Sequence, residues 1–326
     1  MHDDWRPPAM PAALGDDGVR AMMALALPDA VVTGWQRLSG GFSNLGFRVE
    51  CAGRGPVHLR LWSEGGVTAR METALLGRLG AQGRVPVARV LAAPAAPDPA
   101  TGRPFAVLEW VAGVPLAGAA AGLPPPATAA LGRAAGRVLA DIHALKFPAC
   151  GFFSESLELA RFWPCGAAGY QAALDRILAG PAGRALEPDE RRRLVAFGNA
   201  MAGRLEGELR PPCLVHGDFG PGNILVAGPQ GPVAAVIDWE FAFAADPLID
   251  IANIMRPPLG ERPGFAAGFT AGYRAGGGSL PADWRRLALI TDLPAWVAHL
   301  GHGDPARTRD ARARIAAILA AFGHRL

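Results

Sequence analysis

The segment from Leu214 to Val226 constrains this chain more than any other part of it. Asp218 and Asn223 stand five residues apart, and Asp238 follows after an apolar run, a turn containing Gly and Pro, and a second apolar run. Two short apolar runs joined by such a turn predict a β-hairpin. The hairpin would return Asp238 to the side of Asn223. The pattern therefore predicts three oxygen-bearing side chains that converge on one divalent cation and one hydroxyl group.

These side chains suit the transfer of a phosphoryl group. That reaction needs in-line positioning, a magnesium ion that bridges phosphate oxygens, and a carboxylate that holds the attacking hydroxyl. We expect Asp218 to orient the hydroxyl and accept its proton, and Asn223 and Asp238 to hold Mg²⁺. Because Asp and Asn are also common turn formers, an ordinary structural turn is the alternative interpretation.

Length and composition indicate a globular protein with two lobes or domains. The chain has 326 residues, of which 50% are hydrophobic and 19% charged. Its net charge of +3 is too small to indicate a nucleic-acid or membrane partner. The N-terminal residues lack the basic start and apolar stretch of a signal peptide, and no apolar run is long enough to span a bilayer. A cytoplasmic location is therefore expected.

Two residue types have unusual usage. Lys146 is the single lysine, so nearly all positive charge is carried by arginine. The four cysteines show neither a C-x-x-C spacing nor nearby histidines, which favours buried free thiols in a reducing compartment. These cysteines are Cys51, Cys150, Cys165 and Cys213.

Hydrophobic periodicity divides the chain into a strand-rich part and a helical part. The predicted strands of the first part are 31–38, 45–49, 57–62, 90–91 and 105–110, with one helix over 67–79. The predicted helices of the second part are 124–145, 170–179, 188–205, 265–273, 284–297 and 308–322. The pattern predicts an α+β fold, with an antiparallel-sheet lobe at 1–110 and a mainly helical lobe at 111–326. The segment from Glu109 to Gly113 would join them.

With these motifs, the chain resembles the superfamily of aminoglycoside phosphotransferases and choline kinases, whose fold is related to that of protein kinases. The resemblance extends from about Leu38 to about Met255 and depends chiefly on the motif around Asp218. Further matching segments are Ser39–Asn44 (glycine-rich loop), Val57–Arg60 (strand with a basic residue), Glu109–Gly113 (linker), Leu139–His143 (helix end) and Asp246–Ala252 (C-terminal signature).

The resemblance implies a bilobal protein-kinase-like fold and a nucleotide site between the lobes. Backbone N–H groups of the glycine-rich loop would contact the phosphates, Arg60 would grip them, and Glu72 would aim Arg60. Glu109 and Val111 would contact the base through their backbones. The complete set of expected nucleotide-binding residues is Gly40, Gly41, Ser43, Asn44, Arg60, Glu72, Glu109 and Val111.

Arg60 departs from the family pattern, which has lysine at this position. A guanidinium group can bridge phosphate oxygens, but its planar fork differs from an ammonium point charge. A weakly active or inactive nucleotide-binding module is therefore one alternative. A second is a metal-dependent hydrolase that uses His216, Asp218 and Asp238, although no second histidine stands at ligand spacing in this region.

Four further polar residues accompany the motif. His143 and His216 are expected to be hydrogen-bonded structural histidines, since Asp218 already fills the role of base. Asp250 would brace the backbone of the catalytic loop, as the resemblance implies. Glu240 would lie either behind the metal or near the acceptor.

The resemblance implies a co-substrate, a cation and an acceptor. The co-substrate would be ATP or GTP, and the cation Mg²⁺. The acceptor would be a small hydroxylated molecule such as an aminoglycoside, an amino alcohol, a sugar derivative or homoserine. The chain would act as a monomer or homodimer.

Overall fold

The structure is a computed structural model, and it describes residues 14–38, 44–63, 66–206, 210–228 and 231–326. The strands are β1 (Val32–Arg37), β2 (Leu45–Cys51), β3 (Gly55–Leu61), β4 (Val90–Ala92), β5 (Phe105–Glu109), β6 (Val114–Pro115), β7 (Gly151–Phe153), β8 (Leu159–Phe162), β9 (Cys213–Val215), β10 (Ile224–Val226), β11 (Val233–Val236) and β12 (Phe243–Ala245). The helices are α1 (Asp16–Ala26), α2 (Gly66–Gln82), α3 (Leu116–Ala119), α4 (Pro125–His143), α5 (Gly166–Ala179), α6 (Pro181–Arg184), α7 (Pro188–Glu206), α8 (Leu248–Ile254), α9 (Phe265–Ala275), α10 (Trp284–His299) and α11 (Pro305–Ala320).

The N-terminal lobe is an antiparallel sheet in the order β1-β2-β3-β5-β4. Strand β2 alternates buried and half-buried residues along its whole length, as expected for a strand with one face on a core. Its buried face packs with α1, which contributes Val19, Met22 and Met23. The sequence pattern predicted no element before Val31, so α1 is an addition to the predicted fold.

The opposite face of this sheet carries the polar side chains of the cleft. Gly46, Arg60 and Ala106 lie side by side across β2, β3 and β5, and Arg48 and His58 form the next row. Helix α2 covers part of the same face, and its residue Leu79 belongs to an apolar cluster that continues into the helical lobe. This apolar cluster contains residues from both sides of the predicted boundary at residue 110. The division into lobes 1–110 and 111–326 therefore remains a prediction.

The C-terminal lobe is mainly helical and carries two small antiparallel sheets. One has the order β11-β10-β6, and the other β8-β7-β12-β9. The predicted hairpin before Asp238 is confirmed as β10 and β11, whose register pairs Ile224 with Val236. Strands β7, β8, β9 and β12 were not predicted, because runs of three or four residues are too short to show a period. The predicted α+β class is confirmed.

Helices α4 and α9 approach unusually closely through glycines. A Cβ atom on Gly136 would lie 2.8 Å from the backbone nitrogen of Tyr273, which is closer than real Cβ atoms come. We expect Gly136→Ala to lower the free energy of unfolding by about 2 kcal/mol or more. Gly77→Ala in α2 is the matched control, because its Cβ would meet nothing within 4 Å. The control should stabilise the fold by up to about 1 kcal/mol. Chemical denaturation of both variants tests this, and equal effects would contradict the packing argument.

The prediction of four free thiols is wrong for two of them. Cys150 and Cys165 form a disulfide across the segment that contains β7 and β8. Cys51 and Cys213 are buried free thiols, as predicted. The sequence did not predict this disulfide, because C-x-x-C spacing identifies only cysteines that are close along the chain. The β7–β8 hairpin brings together two cysteines that are 15 positions apart. The expectation of a reducing compartment therefore depends on Cys51 and Cys213 only.

Within the described residues, no helix combines the length and apolarity needed to cross a bilayer.

Candidate active site

The loop that follows β9 is anchored by a buried carboxylate on α8. Asp250 is fully buried, and its two oxygens accept the backbone N–H groups of His216 at 2.7 Å and Gly217 at 2.9 Å. His143 Nε2 lies 3.2 Å from the same carboxylate, and His143 Nδ1 lies 2.8 Å from the hydroxyl of Tyr273. The predicted bracing role of Asp250 and the structural role of His143 are both confirmed.

His216 is held in one orientation by both of its ring nitrogens. Nε2 donates to the backbone oxygen of Ile237 at 2.9 Å, and Nδ1 accepts the backbone N–H of Asp218 at 3.2 Å. The imidazole is also completely buried. This histidine therefore links the loop to the strand pair β10–β11, and its predicted structural role is confirmed.

The side chain of Asp218 is positioned by two amides. Asn223 Nδ2 donates to Asp218 Oδ2 at 2.9 Å and to the Asp218 backbone oxygen at the same distance. Asn253 Nδ2 donates to Asp218 Oδ1 at 3.1 Å. Since each oxygen keeps further lone pairs, the carboxylate can still accept a hydrogen bond from a hydroxyl. Sequence reasoning missed Asn253, although it stands three residues after Asp250 on the same helix, where side chains share a face.

The β10–β11 hairpin brings Asn223 and Asp238 together, as predicted. The backbone N–H of Ile237 donates to the backbone oxygen of Asn223 at 2.9 Å, one residue before Asp238. Asp238 itself has a left-handed backbone, with φ 69° and ψ 61°. A non-glycine residue in this region costs on the order of 1 kcal/mol and persists where the surroundings require it. The strained turn aims the Asp238 carboxylate into the cleft below Arg60.

The donor set at this position fits a hard divalent cation. The amide nitrogen of Asn223 is committed to Asp218, so its carbonyl oxygen Oδ1 is the atom that can bind a metal. Asp238 uses Oδ1 for Arg60 and keeps 30% of its side chain exposed. Magnesium accepts carboxylate and carbonyl oxygens and takes few ligands from protein. In the described ranges, no group of three or more His, Cys, Asp or Glu residues could hold a metal ion.

Arg60 lies between two carboxylates in the cleft. Its Nη2 is 3.1 Å from Glu72 and 2.5 Å from Asp238. Glu72 is almost fully buried and also accepts the indole N–H of Trp62 at 2.9 Å and the backbone N–H of Trp239 at 3.1 Å. The predicted pairing of Arg60 with Glu72 is confirmed. The additional bond to Asp238 joins the two lobes at the proposed metal position.

Burial and charge act against each other in this cluster. Burial by itself would lower the pKa of Arg60. The negative charges of Glu72 and Asp238 have the larger combined effect and raise this pKa above its usual value. Burial also raises the pKa of Glu72, while Arg60 opposes that shift. For Asp238 the burial effect is reversed by the charge and hydrogen bond of Arg60, which hold its pKa below the usual value. Asp238 is therefore an anion at neutral pH, as a metal ligand must be.

Asn44 and Glu240 form a second contact between the lobes. Asn44 Nδ2 donates to Glu240 Oε2 at 2.7 Å, and Asn44 Oδ1 accepts the backbone N–H of Ser63 at 3.2 Å. Burial and the neighbouring charge of Asp238 raise the pKa of Glu240 to about 7. Glu240 thus lies beside Asp238 under the N-terminal lobe. The other predicted loop residues, Gly40, Gly41 and Ser43, lie outside the described residues.

The two linker residues predicted to contact the base lie at the edge of the sheet. The backbone N–H of Glu109 donates to the Arg89 oxygen at 2.8 Å, and the side chains of Glu109 and Arg89 form an exposed ion pair. Glu109 can therefore offer a base only its carbonyl oxygen. Val111 is half-buried and packs against the larger apolar cluster. Their contact with a base remains a prediction.

The sequence of this chain matches that of a known enzyme family. The sequence profile of the phosphotransferase enzyme family (APH) matches residues 34–290, which is most of the chain. The chain belongs to the APH phosphotransferase family. The matched segment begins within β1 and ends in the first half of α10, so it contains all the site residues described above. No curated protein sequence matches the chain.

Solved structures of APH phosphotransferases share this fold. The aminoglycoside phosphotransferase APH(4)-Ia is 19% identical, with a TM-score of 0.69 over 93% of this chain and 98% of that one. A complex of APH(2")-IIIa with GDP and kanamycin is 18% identical, with a TM-score of 0.66 over 93% and 96%. A Thermobifida fusca YX-ER1 protein classed as a fructosamine-3-kinase is 21% identical, with a TM-score of 0.66 over 94% and 100%. These similarities confirm the predicted bilobal protein-kinase-like fold.

Family membership makes this chain a small-molecule phosphotransferase of the kinase type. The metal-dependent hydrolase considered from the sequence is not favoured by the geometry. Such an enzyme would use His216 as a metal ligand, yet both nitrogens of that ring are engaged by the backbone of the chain itself. The arrangement instead presents a half-buried carboxylate, Asp218, beside oxygen donors of Asn223 and Asp238 that fit a divalent cation.

Proposed function

We propose that this protein transfers the γ-phosphoryl group of ATP or GTP to a hydroxyl group of a small molecule. The observation that carries the proposal is the position of Asn223. Its amide holds the Asp218 carboxylate at 2.9 Å, and the hairpin after it places Asp238 alongside. The proposed general base and the two proposed cation ligands therefore belong to one short stretch of the chain.

Asp218 would act as the general base. The acceptor hydroxyl would donate a hydrogen bond to its carboxylate and attack the γ-phosphorus. The bond to the β–γ bridging oxygen would break, the proton would pass to Asp218, and the nucleoside diphosphate would leave. Asn253 and Asn223 would keep the carboxylate in place during this step.

Asn223 and Asp238 would hold Mg²⁺ through Oδ1 and a carboxylate oxygen respectively. When bound, magnesium neutralises charge on the phosphate oxygens. Arg60, aimed by Glu72, would contact the same phosphates with its fork of N–H donors. The segment containing Gly40, Gly41, Ser43 and Asn44 would supply further donors to the phosphates.

The base of the nucleotide would contact the carbonyl of Glu109 and the backbone of Val111. The nucleotide would therefore bind at the junction of lobes 1–110 and 111–326. Similar structures have been obtained with AMP-PNP and hygromycin B, and with GDP and kanamycin. Those ligands support a nucleoside triphosphate and a hydroxylated acceptor as partners of this chain. We propose a monomer or homodimer in the cytoplasm.

A coupled assay of ADP and GDP release tests the proposal. The purified protein would be given Mg²⁺, ATP or GTP, and a panel of aminoglycosides, choline, homoserine, fructosamines and hydroxylated acids. Phosphorylated product, detected by mass spectrometry, would establish the kinase. Nucleotide binding without transfer to any acceptor would instead support the binding module that the replacement of lysine by Arg60 suggested.

Asn253 provides a separate test of the geometry. Asn253→Ala removes one of the two amides that fix Asp218, and we expect kcat to fall by about tenfold or more, because a carboxylate is then less well oriented. The nucleotide KM should change little, since Asn253 lies on α8 of the helical lobe. Steady-state kinetics measures both constants. An unchanged kcat would remove Asn253 from the proposed catalytic arrangement.

A further inference from the structure

Helix α2 carries Glu72, and its first turn has little tendency to be helical by itself. Gly66 opens the helix, and the β-branched residues Val67 and Thr68 follow. Glycine and β-branched residues are weaker helix formers than alanine or leucine. The position of the Glu72 carboxylate therefore depends on the contacts that α2 makes with the rest of the molecule.

The N-terminal part of α2 is fastened to a hairpin of the helical lobe. Arg70 donates from Nε to Glu155 Oε2 and from Nη2 to Glu155 Oε1, both at 2.5 Å. Glu155 lies in the turn between β7 and β8, 85 positions away along the chain. Two parallel hydrogen bonds of this kind fix the direction of a guanidinium group as well as its position.

We propose that Glu155 is a positioning residue for nucleotide binding. Acting through Arg70 and α2, it sets the place of Glu72. The Glu72 carboxylate in turn sets the direction of the Arg60 guanidinium. The inference rests on the proposed kinase function, in which Arg60 contacts the phosphates of the nucleotide.

The β7–β8 hairpin is a firm support for Glu155. At its base, the disulfide between Cys150 and Cys165 joins the hairpin to the N-terminus of α5. Strand β7 also pairs with β12, and the stacked rings of Phe152 and Phe243 have their centres 5.2 Å apart. The hairpin is therefore fixed to the helical lobe by a covalent bond and by a neighbouring strand.

The turn that presents Glu155 is held by its own hydrogen bonds. Ser154 Oγ accepts the backbone N–H groups of Ser156 at 3.2 Å and Glu158 at 3.3 Å, and the Ser154 backbone N–H donates to the Glu158 oxygen at 2.8 Å. Leu157 has a left-handed backbone with φ 65° and packs against the larger apolar cluster. Such a backbone persists where its surroundings require it. The Glu155 carboxylate is thus presented from a well-defined turn.

Helix α2 transmits this contact to the cleft. Glu72 follows Arg70 by two residues, which places the two side chains about 200° apart around the helix. Arg70 is exposed, whereas Glu72 is buried and lies 3.1 Å from Arg60 Nη2. A shift of the first turns of α2 would therefore move Glu72 away from Arg60. Arg60 would keep its bond to Asp238 but lose the one that aims it at the phosphates.

Nucleotide binding to the full-length protein tests this inference without any acceptor. The probes are AMP-PNP and GMP-PNP with Mg²⁺, and titration calorimetry measures their affinity. Glu155→Gln should weaken binding about threefold to fivefold, the upper end of what an exposed ion pair contributes. Glu158→Gln removes the same charge from an exposed position of the same turn and should leave binding unchanged. Equal affinity of Glu155→Gln and the parent protein would overturn the inference.

Two further combinations distinguish positioning from a general loss of stability. The exchange of Glu155→Arg with Arg70→Glu restores an ion pair in the opposite order and should recover most of the lost affinity. In a Glu72→Gln background, Glu155→Gln should weaken binding little further, because the group through which it acts is already altered. If Glu72→Gln does not fold, the exchange alone decides. Fully additive losses, or an exchange that recovers no affinity, would overturn the positioning role.

The inference and the proposed function can fail separately. Phosphorylation of an acceptor, with Glu155→Gln binding nucleotide as tightly as the parent protein, would retain the kinase and overturn the role of Glu155. Weaker binding in Glu155→Gln that the exchange recovers, without phosphoryl transfer to any acceptor, would retain the role of Glu155 and reject the kinase. A parent protein that binds neither probe would reject both.

Discussion

Replacing Asp218 by asparagine is expected to lower kcat for phosphoryl transfer by a factor of about 10³, within the range that a lost general base usually costs. The substitution keeps the shape of the side chain, and its one carbonyl oxygen can still accept one of the two amides of Asn223 and Asn253, which bond to different oxygens of Asp218. The fold should therefore persist. Single-turnover measurements at saturating nucleotide and acceptor would isolate the chemical step.

Asp175→Asn is the matched control for that experiment. Asp175 is an exposed residue of α5, so its substitution removes the same charge at a distance from the cleft. Nucleotide affinity and the melting temperature should match between the two variants and the parent protein. If Asp218→Asn retained the parent kcat, Asp218 would not be the base and the proposed mechanism would be rejected.

Removing the Arg60 guanidinium is the second change with a large expected effect. Arg60→Ala would leave the buried carboxylate of Glu72 and the half-buried carboxylate of Asp238 near each other without a cation. Removing one partner of a buried ion pair lowers the free energy of unfolding by about 3–5 kcal/mol, because the remaining charge is poorly solvated. We expect that loss in the free energy of unfolding, together with a large rise in the nucleotide KM.

Two comparisons separate the structural role of Arg60 from its role with phosphate. Arg60→Lys keeps the positive charge and should recover most of the stability and appreciable activity, although it lacks the planar fork. Arg89→Ala disrupts an exposed ion pair with Glu109 and should change stability little. Denaturation curves and nucleotide titrations test all three proteins. Equal stability and nucleotide affinity in Arg60→Ala and the parent would contradict the cluster described here.

The contacts of Arg60 in this cluster explain how arginine fits at a position where the family pattern has lysine. One guanidinium nitrogen, Nη2, contacts both Glu72 and Asp238, and the carbon of the same group lies 5.3 Å from the Trp62 ring. A planar guanidinium group can stack on an indole while it bonds to carboxylates. The substitution is thus accommodated by its neighbours. The activity of Arg60→Lys relative to the parent protein measures how arginine at this position affects turnover.

The sequence by itself determined the order of chemical groups along the chain. Asp218 and Asn223 share one loop, and the apolar runs after them can pair only as a hairpin that returns Asp238 to Asn223. Local spacing therefore located this part of the candidate site. The same kind of local information predicted the long helices, whose boundaries were correct to within a few residues.

Only the tertiary structure decided which distant groups meet. Asn44 and Glu240 are 196 positions apart, and the buried partner of Asp218, Asn253, belongs to a helix of seven residues. The disulfide between Cys150 and Cys165 and the pairing of Asp292 with Arg256 likewise depend on how elements pack. Periodicity reports which face of an element is apolar, but not which other element covers it. Contacts between lobes therefore have no signature in a single sequence.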